Sequence, residues 1–280
     1  MTRRPWKDRA GGAQDFVNPF GRNDNCERAA LSAAARQEQA TGVLAMRCRT
    51  LFRNLALAAV LTAVGTGGGH AATVIFDDDF GKPFINEAWQ IRNDSADMRA
   101  LDSGKLAIVT EPGSLSKGKA KNVLVLKDKL MAKNADISAT LTVDIQDYGT
   151  SWASRVLGGI VLDSSKDNYL ILYIVNFGAN YKSDSGPVAV LAKRHNGTVR
   201  PYLSRRLAPM KKGPMAFHLR IEKRGYKYAG FASLDGKKWQ KLGTFGVLNK
   251  SFRPGLFALR GNRANEAIYE FDRFTVTSLD

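Results

Sequence analysis

The sequence predicts an all-β protein: a two-sheet antiparallel β-sandwich, preceded by a signal peptide and a disordered N-terminal extension. Three observations predict it. Short segments alternate apolar and polar residues with period two. Turn dipeptides separate them at spacings of about 8–15 residues. After residue 73 nothing keeps helical spacing for long, and about thirteen strands can be counted.

Taken in order, "VIFDDDF" (74–80) is the first strand of the set. "MRALDSGKLAIVTE" reads as strand, Asp-Ser-Gly turn, strand, and "NVLVLKD" follows at 122–128. In "DISATLTVDIQD" (136–147), Ile137, Ala139, Leu141, Val143 and Ile145 share one face, with Ser138, Thr140, Thr142 and Asp144 on the other. That is a strand buried on one side. "VLGGIVLDSSKDNYLILYIVNFG" (156–178) gives two strands around a polar turn. "PVAVLAKRHNGTVRPYL" is a hairpin at Asn196-Gly197, where both central positions need positive φ. "AFHLRIEKRGYKYAGFASLDGKKWQKLGTF" is a three-stranded meander turning at Arg224-Gly225 and Asp235-Gly236, and "GLFALRGN" and "AIYEFDRFTVTS" close the chain.

The first 72 residues read differently. Residues 1–45 are polar, rich in Arg, Gly and Ala, and lack an apolar period, as expected of a disordered or mis-called extension. Residues 46–72 have the three parts of an export signal: Arg47, Arg49 and Arg53, then Leu55 to Val64 interrupted only by Thr62, then "GHAA". The run is shorter than the ~20 residues that span a bilayer. Met46 is the expected start, with a mature chain from Ala72 or Thr73 that is exported to the periplasm or beyond. Cys26 and Cys48 both precede that cut, so the 73–280 domain has no cysteine and depends on its core. Its 208 residues are enough for one domain burying about 70% of its unfolded surface.

Charge narrows the partners. Residues 1–72 hold ten Lys+Arg and five Asp+Glu out of totals of 42 and 26, which leaves 32 and 21, or +11, for the rest. Lys193 to Lys227 contains eleven Lys/Arg and one acid, Glu222. Such a stretch attracts acidic polymers or merely keeps the surface solvated. Its interleaved Tyr202, Phe217 and Tyr226, with Tyr228 just after it, have a composition suited to nucleic acid, but export and the lack of any recognised motif argue against that partner.

The order of these segments resembles the concanavalin A-like lectin/glucanase (laminin-G-like jelly-roll) superfamily. "FDDDFGKPFINEAWQI" resembles its opening acidic strand before a Trp, and "LGGIVLDSSKDNYLILYI" its paired central strands. "FHLRIEKRGYKYAGFASLDGKKW" resembles its meander, and "GLFALRG" with "YEFDRFTV" its last two strands. The C-terminal modules of some β-xylosidases and many uncharacterised secreted bacterial domains share the pattern. The resemblance implies a jelly roll over 73–280 and a bias towards carbohydrate, whether the sugar is bound or cut.

Cutting is the weaker reading. Jelly-roll glucanases carry E-x-D-x-x-E on a central strand, and alginate-lyase-like members an Arg-Glu-Leu-Arg strand; neither occurs here. His195 lies beside a turn and His218 alternates with core positions, so both are expected to face solvent. The expected function is non-catalytic carbohydrate binding, with an anionic polysaccharide favoured by the arginines. The alternatives are a polysaccharide-degrading enzyme with an unrecognised site, or an envelope protein-interaction module. Binding needs aromatic faces and polar groups. The candidates are Tyr148, Trp152 and Tyr181 for stacking, with Asn180 next to Tyr181, and Tyr202 beside Arg200 and Arg205, together with Arg155, for acidic groups. Trp89 and Trp239 are expected to be packing residues.

No cofactor is implied with certainty. In an extended strand Asp77 and Asp79 share a face, and the last strand of a jelly roll brings Asp272 near. These three acids would suit a structural calcium, or else simply solvate an edge strand and discourage pairing.

Overall fold

A computed structural model describes residues 72–145, 155–176, 186–209, 211–247 and 251–280. Among these, fifteen strands and a single 3-10 turn (Ala96–Met98) form two antiparallel sheets. The count exceeds the expected thirteen because four-residue segments such as Trp89–Arg92 pair fully despite their length.

The first sheet contains β1 (Thr73–Asp78), β3 (Arg99–Asp102), β4 (Lys105–Val109), β6 (Asn134–Ile145), β11 (Gly213–Arg224), β12 (Lys227–Ser233), β13 (Gln240–Gly246) and β15 (Ile268–Ser278). Its order is β13-β12-β11-β6-β15-β4-β3, and β1 also pairs with β15. The second sheet contains β2 (Trp89–Arg92), β5 (Val123–Leu126), β7 (Val156–Ser165), β8 (Asn168–Asn176), β9 (Val188–His195), β10 (Thr198–Arg206) and β14 (Arg253–Arg260). Its order is β10-β9-β8-β7-β14-β5-β2.

β6 behaves as its alternation predicts. Ile137, Ala139, Leu141, Val143 and Ile145 are buried while the intervening residues are not. They join Phe217, Leu219 and Ile221 from β11 and Tyr269, Phe271, Phe274 and Val276 from β15. Opposite lie Ile160 and Leu162 of β7, Leu170, Leu172 and Ile174 of β8, Leu191 of β9 and Leu256 of β14. This is the core between the layers.

The second sheet is also apolar on its other face. Val161, Tyr169, Ile171, Tyr173, Val190, Ala192, Phe257 and Leu259 form a second buried cluster, joined by Leu115 and Ala120 from the 110–122 connection. β7 and β8 are therefore buried on both sides, which explains why "VLGGIVL" and "YLILYIV" are continuous rather than alternating. The paired glycines of β7 serve close packing. A Cβ on Gly158 would sit 2.5 Å from the Tyr269 ring, whose hydroxyl donates to the Ile174 carbonyl at 3.3 Å. Gly158→Ala is expected to destabilise the domain by about 1–3 kcal/mol through overpacking, measurable as a lowered midpoint in chemical denaturation.

Candidate functional site

The three acids of "VIFDDDF" alternate as expected: Asp77 and Asp79 are exposed and Asp78 is buried. Each has its own partner. Asp78 accepts from the Trp89 indole Nε1 at 2.8 Å and from the Phe80 amide at 2.9 Å. Trp89 in turn packs among Phe76, Phe80 and Phe274, with ring centroids 5.2, 6.5 and 5.2 Å away. Asp78 thus supplies the polar partner that a buried indole N–H requires. Asp77 is gripped by Arg273, with Nε to Oδ1 at 2.8 Å and Nη2 on Oδ2. That hydrogen bonding holds its carboxyl below the usual range.

Asp79 accepts from the Gly81 amide at 3.0 Å, and Asp272 pairs with Lys105 at 3.3 Å. Among the described residues no three acidic, histidine or cysteine side chains gather as metal ligands. As placed, Asp77, Asp79 and Asp272 do not fit a calcium ion, which takes six to eight oxygens. Asp77 and Asp272 are each paired with a basic side chain, Arg273 and Lys105.

The richer constellation is on the outward face of the second sheet. Register places Arg253, Asp163, Tyr169 and Arg194 side by side across β14, β7, β8 and β9. Arg92 reaches this row from β2 and pairs with Asp163 at 2.8 Å. Arg253 donates to Gln90 at 3.3 Å, and Arg194 contacts Asp167 at 3.5 Å. In the next rows Tyr202 stands opposite Ala192, and Tyr173 opposite Val190. The charge of Arg155 acts on both Tyr173 and Tyr202, while burial weakens the Arg155 guanidinium as a base and pushes the Tyr173 hydroxyl up.

Of the sequence-nominated binding residues, this face brings together Arg155 and the half-exposed Tyr202. Arg205 is exposed on the edge strand β10, and Arg200 belongs to the same strand. Tyr148, Trp152, Asn180 and Tyr181 lie outside the described residues. Asp163, Tyr169, Tyr173 and Arg194 were not nominated. The available signal was parity, since Tyr169, Ile171 and Tyr173 must share a face once β8 is extended.

His195 is exposed at its turn, and His218 is half-buried with Nδ1 3.1 Å from the Thr140 hydroxyl. Trp89 is a packing residue, as expected. Trp239 packs differently: it is half-buried against the Arg220 guanidinium at 4.6 Å, which also covers Phe231 at 4.9 Å. The Arg220–Glu222 ion pair at 2.9 Å holds that stack in place.

Residues 77–277 match the family model of the "Beta xylosidase C-terminal Concanavalin A-like domain". The chain belongs to this family. Solved structures agree on the architecture. A GH43 protein, BlXynB, from Bacillus licheniformis is 21% identical with a TM-score of 0.58, covering 72% of this chain and 39% of that one. A xylan beta-1,4-xylosidase from Bacillus Halodurans C-125 is 15% identical with a TM-score of 0.56 and the same coverages. A Bacteroides ovatus xyloglucan PUL GH43B protein is 18% identical with a TM-score of 0.58, covering 71% and 38%. The chain therefore spans about two fifths of each of these proteins, and at such identities the likeness concerns the fold. No curated protein matches the chain.

Two predictions follow from the acids. Asp78→Ala is expected to cost about 1.5–3 kcal/mol, because it orphans a buried indole donor. Asp77→Ala, whose ion pair is solvent-exposed, is expected to cost no more than about 1 kcal/mol; urea denaturation of both variants measures the difference.

The second concerns acid. The backbone amides of Lys238 and Lys237, with the Ser233 hydroxyl, hold Asp235 down at about 2, and Asp77 is also depressed. Both depressed groups contribute stability that is present above their unfolded value of about 3.9 and lost as pH falls through the folded one. The denaturation midpoint is expected to drop between about pH 4 and pH 2, and Asp235→Asn to flatten part of that drop.

Proposed function

We propose that the domain is an exported, non-catalytic carbohydrate-binding module, and that its ligand is an anionic polysaccharide. The observation that carries the reading is the half-exposed Tyr202 on edge strand β10, on which the Arg155 charge also acts. An aromatic ring offers a flat apolar surface to a sugar, and a guanidinium matches a uronate carboxylate with two parallel hydrogen bonds. The family supports the class of ligand, because its name places the domain at the C-terminus of β-xylosidases. The net positive charge of the 73–280 segment supports the preference for acidic over neutral chains. Most of the tyrosines on this face are themselves buried, so the ligand is expected to meet the margin rather than the middle of the sheet.

Retention on polygalacturonate and glucuronoxylan gels, against neutral xylan, tests the proposal. The acidic polymers are expected to retain the protein more strongly. Tyr202→Ala is expected to weaken binding about tenfold, or about 1.4 kcal/mol, and Arg155→Gln to affect acidic polymers more than neutral ones. No retention on any polymer, or release of reducing ends from them, would overturn the non-catalytic binding reading.

A further inference from the structure

One end of the sandwich combines exposed apolar residues, lysines and the entry of the chain. Seven large hydrophobic side chains are exposed among the described residues, and four of them meet here: Val74, Ile75, Met131 and Tyr226. Met131 is the most exposed at 76% and lies in the 127–133 connection between the two sheets. Tyr226, 53% exposed, sits at the tip of the β11–β12 hairpin. The two tips are tied together, since the Gly225 amide donates to the Lys133 carbonyl at 3.0 Å. Lys223 anchors the same connection through the Ala132 and Lys133 carbonyls. Val74 pairs with Thr277, which pairs with Asp136 near the start of β6, so β1 begins at this end too.

The basic side chains here are Lys127, Lys129, Lys133, Lys223, Arg224 and Lys227, against the acids Asp128, Asp136, Glu222 and Asp280. Asp136 is held by Arg224 at 2.9 Å, and Asp280 accepts from the Lys133 and Asn134 amides at 2.6 and 2.8 Å. Lys127, Lys129, Lys133 and Lys227 are exposed around Met131 and Tyr226. Apolar tips ringed by lysines suit the boundary between headgroups and acyl chains: the tips enter, and the ammonium groups stay with the phosphates.

We propose that this end of the domain docks on the surface of an anionic phospholipid bilayer, with Met131 and Tyr226 as the inserted residues. All the described strands and both buried clusters lie within 73–280, so the chain from Ala72 carries this core. The test is co-sedimentation of the full chain, and of the chain from Ala72, with phosphatidylcholine vesicles with and without phosphatidylglycerol. The chain from Ala72 is expected to bind the anionic vesicles about tenfold more tightly or better, with the gain lost at high salt. Met131→Asp with Tyr226→Ser, and separately Lys129→Gln with Lys133→Gln, are expected to remove most of that gain. Leu234→Asp and Ile268→Asp, exposed away from this end, are expected to leave it unchanged. Equal binding to both vesicle types would overturn the proposal. So would binding by the full chain alone, or an equal loss from the Leu234 and Ile268 variants.

Discussion

Burial of β7 and β8 on both faces is the constraint on which the remaining structure depends. A strand with one solvated face can accept polar residues at alternate positions, whereas these two must be apolar almost throughout. Their core side meets Leu141, Phe217, Leu219 and the ring of Tyr269, for which Gly158 gives up its side chain. Their other side holds Tyr169, Ile171, Tyr173 and Phe257 in a second cluster. Polar groups are consequently displaced to the margins: Asp163 and Arg194 at one end, Arg155 before β7 at the other, and Tyr202 on the edge strand β10. The proposed recognition surface is thus a by-product of how the sheet is buried.

The fold was legible because both kinds of strand leave a pattern. "DISATLTVDI" alternates and is half-buried; "LILYIV" does not and is buried throughout. The turns at Asn196-Gly197, Arg224-Gly225 and Asp235-Gly236 were legible because positive φ demands small or polar residues, and Asn196, Gly197, Gly225 and Gly236 have it. The role of the acidic first strand was only half legible. Alternation placed Asp77 and Asp79 on one side, yet nothing local says that Asp78 meets an indole eleven residues on, or that Arg273 takes Asp77. Contacts between distant segments are set by register, and register is a tertiary property.

The candidate site was less legible for the same reason. Arg253, Asp163, Tyr169 and Arg194 are neighbours only because four strands align, although they are spread over ninety residues of sequence. Loop aromatics draw attention in a sequence, while a tyrosine in a strand reads as core, and Tyr169 and Tyr173 are indeed buried. Trp239 shows the converse. It occupies a place where packing was expected, but packs on the Arg220 guanidinium at the surface of the first sheet.

Two surfaces then have separate tasks in the proposed scheme. The margin of the second sheet meets polysaccharide, and the end bearing Met131 and Tyr226 meets lipid. Both require a rigid slab between them, which the double burial of β7 and β8 provides. Native-state hydrogen exchange tests that rigidity most directly. Amides of β7 and β8 are expected to exchange only through global unfolding, while those of the short outer strand β3 exchange through local opening. Exchange from β8 as fast as from β3 would contradict the double burial and, with it, the placing of recognition at the margins.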